Sequence, residues 1–429
     1  MTVGILCIGL LLVLIFLRLP IAFAMALIGA GGMLVLNGPR AAMGIMTQTT
    51  SEVAAASNLA VLPLFVLMGS LVTHSGMSQG LYRAAHAMVG HFRGGLAMAT
   101  VLACGGFSTI CGSSLATAAT MTRLAMPEMR EHKYADSLAA GSIAAGGTLG
   151  ILIPPSIIMV IYGMLTGESV GKLFFAGILP GILTIGLYMM AIAIVTKVKP
   201  ELGPPGQRST WLQRLVAMRG VWGVALLFVV IMGGIYTGIF TPNEAAGVGA
   251  AGALVFALAN GSLNAKSLGK VLLEAAEITS VMFLVLIGAL IFANFMNEVG
   301  FAKGLTSLVS DLSVNRYVIL LIIVGIYLVL GCFFESISMI MLTVPIFYPV
   351  VQSLGFDMIW FGILVVVLTE IGMITPPIGL NLFVIKSVMP DVATNDIIRG
   401  VIPFLGADVV RLALLICFPA ISLFLPSIM

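Results

Sequence analysis

Two short polar segments interrupt very hydrophobic stretches of the chain, one running from Gly105 to Ser114 and the other from Gly331 to Ser338. Both combine glycine with side chains that carry oxygen. Glycine permits tight turns and close backbone approach, and helices that end inside a membrane leave carbonyl and amide groups without intrahelical partners. Carbonyl, hydroxyl and carboxylate oxygens suit Na⁺, whereas the N-terminal ends of helices suit an anion.

A pair of adjacent prolines follows each polar segment, again inside apolar sequence: Pro154-Pro155 and Pro376-Pro377. A proline inside a helix costs about 3 kcal/mol, because it removes an amide donor and clashes with the preceding turn. In hydrocarbon the freed carbonyls find no water, so such a break persists only beside protein, a cavity or a ligand. We expect each tip and the break of its own half to form one cation site, near Thr148 and Thr375 respectively. The alternative is that these small, hydroxyl-rich runs only let helices pack.

Glu335 is an ionisable side chain at membrane depth in the second segment. A carboxylate at the bilayer centre costs roughly 2.5–3.5 kcal/mol on insertion scales, so it should face a partner or a cavity. Three roles are open: sodium ligand, proton carrier, or structural hydrogen-bonding group near the tip. For Glu370 and Asn294, which also lie in apolar runs, hydrogen bonding between helices is the favoured role.

The composition is that of a polytopic membrane protein. Of 429 residues, 60% are hydrophobic and 9% charged, and the mean hydropathy is +1.16. Apolar runs near the roughly 20 residues needed to cross a bilayer recur along the chain. The apolar N-terminus lacks the basic region of a cleavable signal peptide, so we interpret it as the first span.

Several function classes are disfavoured. The basic residues lie in short loops and form no extended patch, which argues against nucleic-acid binding. The five cysteines have no metal-ligand spacing. No nucleophile–base pair, nucleotide-binding loop or zinc motif is present, so we expect neither an enzyme nor a cofactor.

The chain contains an internal repeat. A shift of 222 residues places the first Pro-Pro pair on the second, and it also superposes Ser114 on Ser336 and Pro127 on Pro349. An ordered series of matches at one offset indicates duplication. We predict a first repeat over 1–200, a cytoplasmic linker over 201–216 and a second repeat over 217–429.

Each repeat follows the same plan of spans, a re-entrant helical hairpin and a broken helix. The predicted hairpins lie at about 94–128 and 316–350, and the broken helices at about 136–166 and 357–388. The other spans are predicted at about 2–18, 21–37, 57–75, 172–196, 217–239, 243–259, 277–297 and 403–425. Amphipathic segments near 78–91, 264–275 and 300–312 are expected along the membrane interface.

Five crossings and one hairpin per repeat form an odd count, so the second repeat should be inverted, as in many secondary transporters. The central segment 197–219 holds five basic residues and one acid, which predicts a cytoplasmic location. Both termini are then expected on the outer face of the membrane. The first hairpin enters from the cytoplasm and the second from outside.

At these motifs the chain resembles the large, DctM-like membrane subunit of tripartite ATP-independent periplasmic (TRAP) transporters. The resemblance covers essentially the whole chain, and its matching stretches are 89–96, 111–129, 144–156, 161–163, 342–347 and 372–383. One departure is that an aspartate is common in that family where this chain has Glu335. The extra methylene leaves oxygen ligation possible there with a different geometry.

The resemblance implies an elevator-type secondary transporter of the bacterial inner membrane that imports an organic anion with Na⁺ as the coupling ion. It also implies two partners: a small four-helix membrane subunit on a separate chain, and a soluble periplasmic substrate-binding protein. The implied sodium ligands are Gly112, Ser113, Ser114, Thr148 and Pro154 in the first half, and Gly331, Glu335, Ser336, Thr375 and Pro376 in the second. The implied substrate contacts are Ser113, Ser114, Ser336 and Ser338.

Two rival functions share parts of this prediction. A self-sufficient symporter of sodium and an organic anion would have the same hairpins and need no partner proteins. A channel or structural membrane scaffold would show no dependence on a sodium gradient.

Overall fold

A computed structural model describes residues 2–311 and 314–429, and every regular element in these ranges is helical. This confirms the all-α fold class. The helices before the central linker are α1 (Thr2–Phe16), α2 (Ile21–Asn37), α3 (Pro39–Ala55), α4 (Val61–His74), α5 (Met77–Val89), α6 (Gly95–Cys111), α7 (Ser114–Glu131), α8 (Asp136–Thr148), α9 (Ile157–Thr166) and α10 (Val170–Val198).

The helices of the linker and the second half follow in a similar order. They are α11 (Trp211–Met218), α12 (Trp222–Tyr236), α13 (Pro242–Ala259), α14 (Ala265–Glu298), α15 (Phe301–Asp311), α16 (Arg316–Gly331), α17 (Ser336–Ser353), α18 (Met358–Ile374), α19 (Leu380–Val388), α20 (Thr394–Cys417) and α21 (Ala420–Ser427).

Six helical segments of the described chain are long and apolar enough to cross a membrane, and α11 with α12, bent by 51° at their junction, would make a seventh. The six are 57–74, α10, α13, α14, α17 and α20. Both predicted broken helices divide into shorter pieces, α8 with α9 and α18 with α19. The chain is therefore a polytopic helical membrane protein.

The structure differs from the predicted elements at three places. Helix α3 was not predicted, because only part of its sequence is apolar. The stretch 264–275, expected along the interface, is the first part of α14, which begins at an Asn264–Ser267 capping box and continues unbroken. The last predicted span is divided into α20 and α21 near Pro419, which has no amide hydrogen with which to continue a helix.

The bases of the two predicted hairpins lie at opposite ends of α10, a helix about 43 Å long at 1.5 Å per residue. At one end, the linker carbonyl of Gly203 accepts a hydrogen bond from the amide of Gly94, before α6. At the other end, the Tyr348 hydroxyl of α17 lies 3.4 Å from the Glu168 carboxylate, just before α10. The two hairpin bases therefore lie at opposite ends of this helix.

Arg130 of α7 forms ion pairs with two other segments at the linker end of the molecule. Its guanidinium donates hydrogen bonds of 2.9 and 2.7 Å to Asp136 at the start of α8, and it lies 2.5 Å from Asp391 between α19 and α20. The hydrogen bond from Arg130 lowers the pKa of Asp391. Because the folded-state pKa is depressed, the stabilisation is present at neutral pH and is lost only as the pH falls through that lowered value.

Glycine contacts hold α8 and α20 together at close range. A Cβ atom added to Gly400 would clash with the Ser137 carbonyl, and one added to Gly141 would clash with the Gly400 carbonyl. In lipid, small residues at such crossings let backbones approach where no hydrophobic effect drives association. The close crossing of α8 and α20 is therefore possible only because Gly141 and Gly400 have no side chain.

We predict that Gly400→Ala lowers the unfolding temperature of the purified protein in detergent. The new methyl group must push the two helices apart, which typically costs about 1–3 kcal/mol. Gly406→Ala is the matched control on the same helix, because nothing lies within 4 Å of a Cβ atom there. Thermal unfolding curves that coincide for the two variants would contradict the importance of this crossing.

Candidate functional site

The first tip is a two-residue connection between α6 and α7. Gly112 has φ +62°, a left-handed conformation that favours glycine and ends α6. Ser113 is extended, and its hydroxyl accepts a hydrogen bond of 3.4 Å from the Ala116 amide at the start of α7. The sequence Gly-Ser-Ser thus terminates one helix and caps the next within the apolar interior.

The first Pro-Pro break separates α8 from α9. After Thr148 a single 3₁₀ turn is followed by a non-helical stretch that includes a cis Pro154–Pro155 bond. Ser156 starts α9: its hydroxyl donates to the Ile151 carbonyl at 2.5 Å and accepts from the Met159 amide at 3.4 Å. Serine therefore supplies part of the hydrogen bonding that the break removes.

The first tip packs directly against the break of the same half. A Cβ atom on Gly150 would lie 2.7 Å from the Ser113 carbonyl oxygen, and one on Gly112 would lie 3.2 Å from the Pro155 carbonyl oxygen. Only glycine lets the two backbones come this close. The structure thus brings together the tip and the break that the sequence paired.

The second half repeats the arrangement with different residues. The break again contains a cis bond, Pro376–Pro377. A Cβ atom on Gly372 of α18 would lie 2.5 Å from the Gly331 Cα, so these two backbones touch. The Cys332 thiol lies 3.9 Å from the Pro376 carbonyl oxygen. Glu335 precedes α17, but its side chain does not cap that helix.

Thr148 and Thr375 end the helices that precede the two breaks. Each hydroxyl donates its hydrogen to a carbonyl of its own helix, Thr148 to Ala145 at 2.7 Å and Thr375 to Ile371 at 2.6 Å. A hydroxyl that donates in this direction still has lone pairs for another partner. Both oxygens are therefore chemically competent as cation ligands.

The two tips face a common cavity of about 430 Å³. Its lining includes Ser113 and Ser114 from the first tip and Glu335 and Ser336 from the second, and α14 contributes an opposing wall with Glu277. Three of the four predicted substrate contacts are thus at this cavity. The fourth, Ser338, is buried on α17 and does not belong to its described lining.

A second cavity of about 530 Å³ adjoins the first and extends towards the end of the molecule predicted to be cytoplasmic. The two cavities have five lining residues in common: Ser113, Ala116, Ile157, Ile278 and Met282. Polar and charged side chains, including His74, Arg123 and Glu274, line the second cavity. Together the cavities form a route from the tips towards one end of the protein, with charged side chains along the second cavity.

Asn381 is a site residue that the sequence reasoning missed. It lies one turn after the second break, fully buried, and its amide donates to the Ser114 hydroxyl at 2.9 Å and to the Ala144 carbonyl at 3.1 Å. The second broken helix is thus bonded to the first tip. The sequence signal that could have identified Asn381 is its polar amide within an apolar run directly after Pro376-Pro377.

A buried group of charged side chains was also missed. Arg411 of α20 contacts Glu370 of α18 and Asp408 of its own helix, and all three have no solvent exposure. The expectation that Glu370 bonds between helices is correct, but its partner was not predicted. Two opposite charges three residues apart within a predicted span were the available signal.

We predict an energetic coupling between Asn381 and Ser114. Asn381→Leu leaves the buried Ser114 hydroxyl without its partner, which should destabilise the protein by about 1–3 kcal/mol. In combination with Ser114→Ala the losses should not add, with a coupling of about 0.5–3 kcal/mol. The measurement is unfolding of the four proteins of the cycle in detergent.

The control for this cycle is Thr122→Ala, which removes a buried hydroxyl of the same helix that bonds only to its own Ala118 carbonyl. Its effect should add to that of Asn381→Leu. If the stability losses of Ser114→Ala and Asn381→Leu also add, the hydrogen bond between Ser114 and Asn381 contributes nothing to stability.

Comparison with known proteins agrees with this architecture over most of the chain. The family model described as "Tripartite ATP-independent periplasmic transporter, DctM component" matches residues 8–421. The C4-dicarboxylate TRAP transporter large permease protein DctM of Pseudomonas aeruginosa is 41% identical over 374 residues, 86% of each chain. The sialic acid TRAP transporter large permease protein SiaM of Vibrio cholerae is 32% identical over 419 residues, 97% of this chain and 96% of that protein.

Two solved transporters share the fold at low sequence identity. The Alcanivorax borkumensis YdaH transporter superposes with a TM-score of 0.65 at 16% identity, covering 92% of this chain and 91% of that chain. Neisseria gonorrhoeae MtrF superposes with a TM-score of 0.59 at 12% identity, covering 90% and 85%. These likenesses concern the fold alone.

Proposed function

The chain belongs to the family of DctM components of TRAP transporters and is the large permease of such a system, and from this premise we propose that it couples the inward flow of Na⁺ to the uptake of an organic anion. The observation that carries the proposal is the geometry of the tips. Each tip packs on a broken helix, and both face one cavity. Broken helices around a central site are how many secondary transporters bind substrate and coupling ion.

Each tip and its break would hold one sodium ion. Unwound backbone offers carbonyl oxygens that no longer bond within a helix, and Na⁺ takes oxygen ligands of this kind. The ligands of the first site would come from Gly112, Ser113, Ser114, Thr148 and Pro154. Those of the second would come from Gly331, Glu335, Ser336, Thr375 and Pro376.

The substrate would bind between the tips. Helices α7 and α17 both begin there, and their first amide groups carry partial positive charge that favours a carboxylate. Glu335 lines the same cavity and repels an anion. Sodium bound at Glu335 removes that repulsion, which gives a physical reason why the ion must accompany the substrate.

A C4-dicarboxylate is the first substrate class to test. The Pseudomonas aeruginosa relative that is named for such substrates is 41% identical, whereas the sialic acid relative of Vibrio cholerae is 32% identical. Hydroxyls from both tips line the cavity and are suited to bind the two ends of a small diacid.

The permease would work with a separate small membrane subunit and a soluble periplasmic binding protein, as TRAP systems do. We further propose that the unit containing the hairpins and broken helices moves across the membrane as an elevator. The close backbone contacts between each tip and its break support movement as one body. The inverted-repeat relation of the two halves, with both termini in the periplasm of a bacterial inner membrane, belongs to the same proposal.

Uptake by reconstituted vesicles tests the proposed function. We expect labelled succinate to accumulate only when vesicles contain this chain and the small subunit, the binding protein is outside, and a sodium gradient points inward. Removing the chain, the small subunit, the binding protein or the sodium gradient should abolish accumulation. Uptake by this chain alone would instead identify a self-sufficient symporter, and flux independent of the sodium gradient would contradict coupling.

We predict that Thr375→Ala raises the sodium concentration required for half-maximal uptake. Loss of a ligand contribution of about 1–2 kcal/mol corresponds to about a 5–30-fold weaker site. Thr369→Ala is the matched control, because Thr369 lies on the same helix and its hydroxyl likewise donates to the carbonyl four residues earlier, at 2.8 Å. Identical sodium titrations for both variants would remove Thr375 from the site.

A further inference from the structure

Four fully buried ionisable side chains form a polar group away from the tip cavity: Tyr188 of α10, Glu370 of α18, and Asp408 and Arg411 of α20. We call these four the Arg411 cluster. The buried Thr184 hydroxyl of α10 also accepts a hydrogen bond of 2.9 Å from Arg411. The Arg411 guanidinium donates to a Glu370 oxygen at 2.6 Å and lies 2.8 Å from an Asp408 oxygen. The Tyr188 hydroxyl donates to the same Asp408 oxygen at 2.8 Å.

The charges of the cluster do not balance. Two carboxylates face one guanidinium, which stays protonated in proteins, and Tyr188 is a neutral phenol. With both acids ionised the cluster has a net charge of −1 and no exposure to water. An uncompensated charge in the interior is strongly unfavourable, because it has lost its hydration without gaining a partner. One further positive charge is therefore required.

The two carboxylates are not equivalent. Asp408 faces two groups that stabilise an anion, Tyr188 and Arg411, whereas Glu370 faces only Arg411. Each acid also has one buried oxygen without a partner, Oε1 of Glu370 and Oδ2 of Asp408. The less stabilised anion is Glu370, so a proton is bound more favourably there.

A proton fits this environment better than a metal ion. A cation such as Na⁺ needs space and several oxygens, but neither cavity at the tips is lined by a side chain of the cluster. Among the described residues no third acidic, histidine or cysteine side chain joins the two acids to form a metal-binding group. A proton needs neither a cavity nor further ligands.

We propose that the Arg411 cluster is a proton-binding site that holds one proton on its carboxyl pair, mainly on Glu370. The bound proton makes the cluster neutral. It leaves Arg411 paired with an ionised Asp408, which Tyr188 orients.

The position of the cluster connects it to both halves of the transport site. Tyr188 lies on α10, which packs against α8, the helix that ends at Thr148 before the first break. Glu370 lies two residues before Gly372, whose backbone touches Gly331 at the second tip. This connection to the candidate sodium ligands rests on the proposed function, whereas the proton site itself does not.

Infrared difference spectroscopy of the purified full-length protein tests the proposal. The wild type should show the carbonyl stretch of a protonated carboxylic acid that shifts in D₂O, and Glu370→Gln should lose that band. Glu335→Gln should retain it, which distinguishes the cluster from the acid at the tip. A wild type without the band, or a band lost only in Glu335→Gln, would overturn the proposal.

Stability gives a second measurement that does not need transport. Glu370→Gln imitates the protonated acid and leaves a neutral Arg411–Asp408 pair, so its unfolding temperature should equal that of the wild type. Arg411→Gln leaves two buried acids and should lower the yield of folded protein sharply. If Glu370→Gln destabilises the protein as much as Arg411→Gln does, Glu370 is charged and the proposal is wrong.

Discussion

Breaking a helix inside an apolar interior frees backbone groups that water cannot reach, and the centre of this protein is built around satisfying them. In each half the broken helix lies against the tip, where glycine removes the side chain that would keep them apart. Serine and threonine hydroxyls supply further bonds at the helix ends. The same groups that solve this structural problem are oxygens grouped at one place. On the proposed function, the oxygens that stabilise the breaks would also hold the coupling cation.

Charge in this interior is divided between two environments. Glu335 lines the tip cavity, where an ion or substrate can reach it, whereas Glu370 and Asp408 are sealed from solvent beside Arg411. A carboxylate that faces a cavity can be neutralised by whatever enters, so its charge is available to couple ion and substrate. A sealed carboxylate depends on fixed partners or a proton, so its role is to set the charge balance of the surrounding helices.

The positions at which helices end could be predicted well from the sequence, because the residues that end a helix act locally. Pro-Pro pairs and Gly-Ser turns determine where helices end, and both tips and both breaks lie where those residues predict. Partners across the fold were not predictable, because nothing local specifies them. Asn381 bonds to a hydroxyl 267 residues away, and Tyr188 to a carboxylate 220 residues away. Helix α3 escaped prediction because only part of it is apolar.

Corresponding positions in the two halves of the sequence carry different side chains at the tips and broken helices. Ser113 and Glu335 are 222 residues apart and so occupy corresponding tip positions, one with a hydroxyl and the other with a carboxylate. Asn381 corresponds to Met159, so only the second broken helix provides an amide that bonds to the opposite tip. On the proposed function, the second cation site has one more negative ligand charge and the stronger electrostatic attraction for Na⁺. An ion that binds there first cancels the repulsion of Glu335 before an anion arrives. On the proposed function, this difference between the two tips would supply an order of binding that two identical sites would lack.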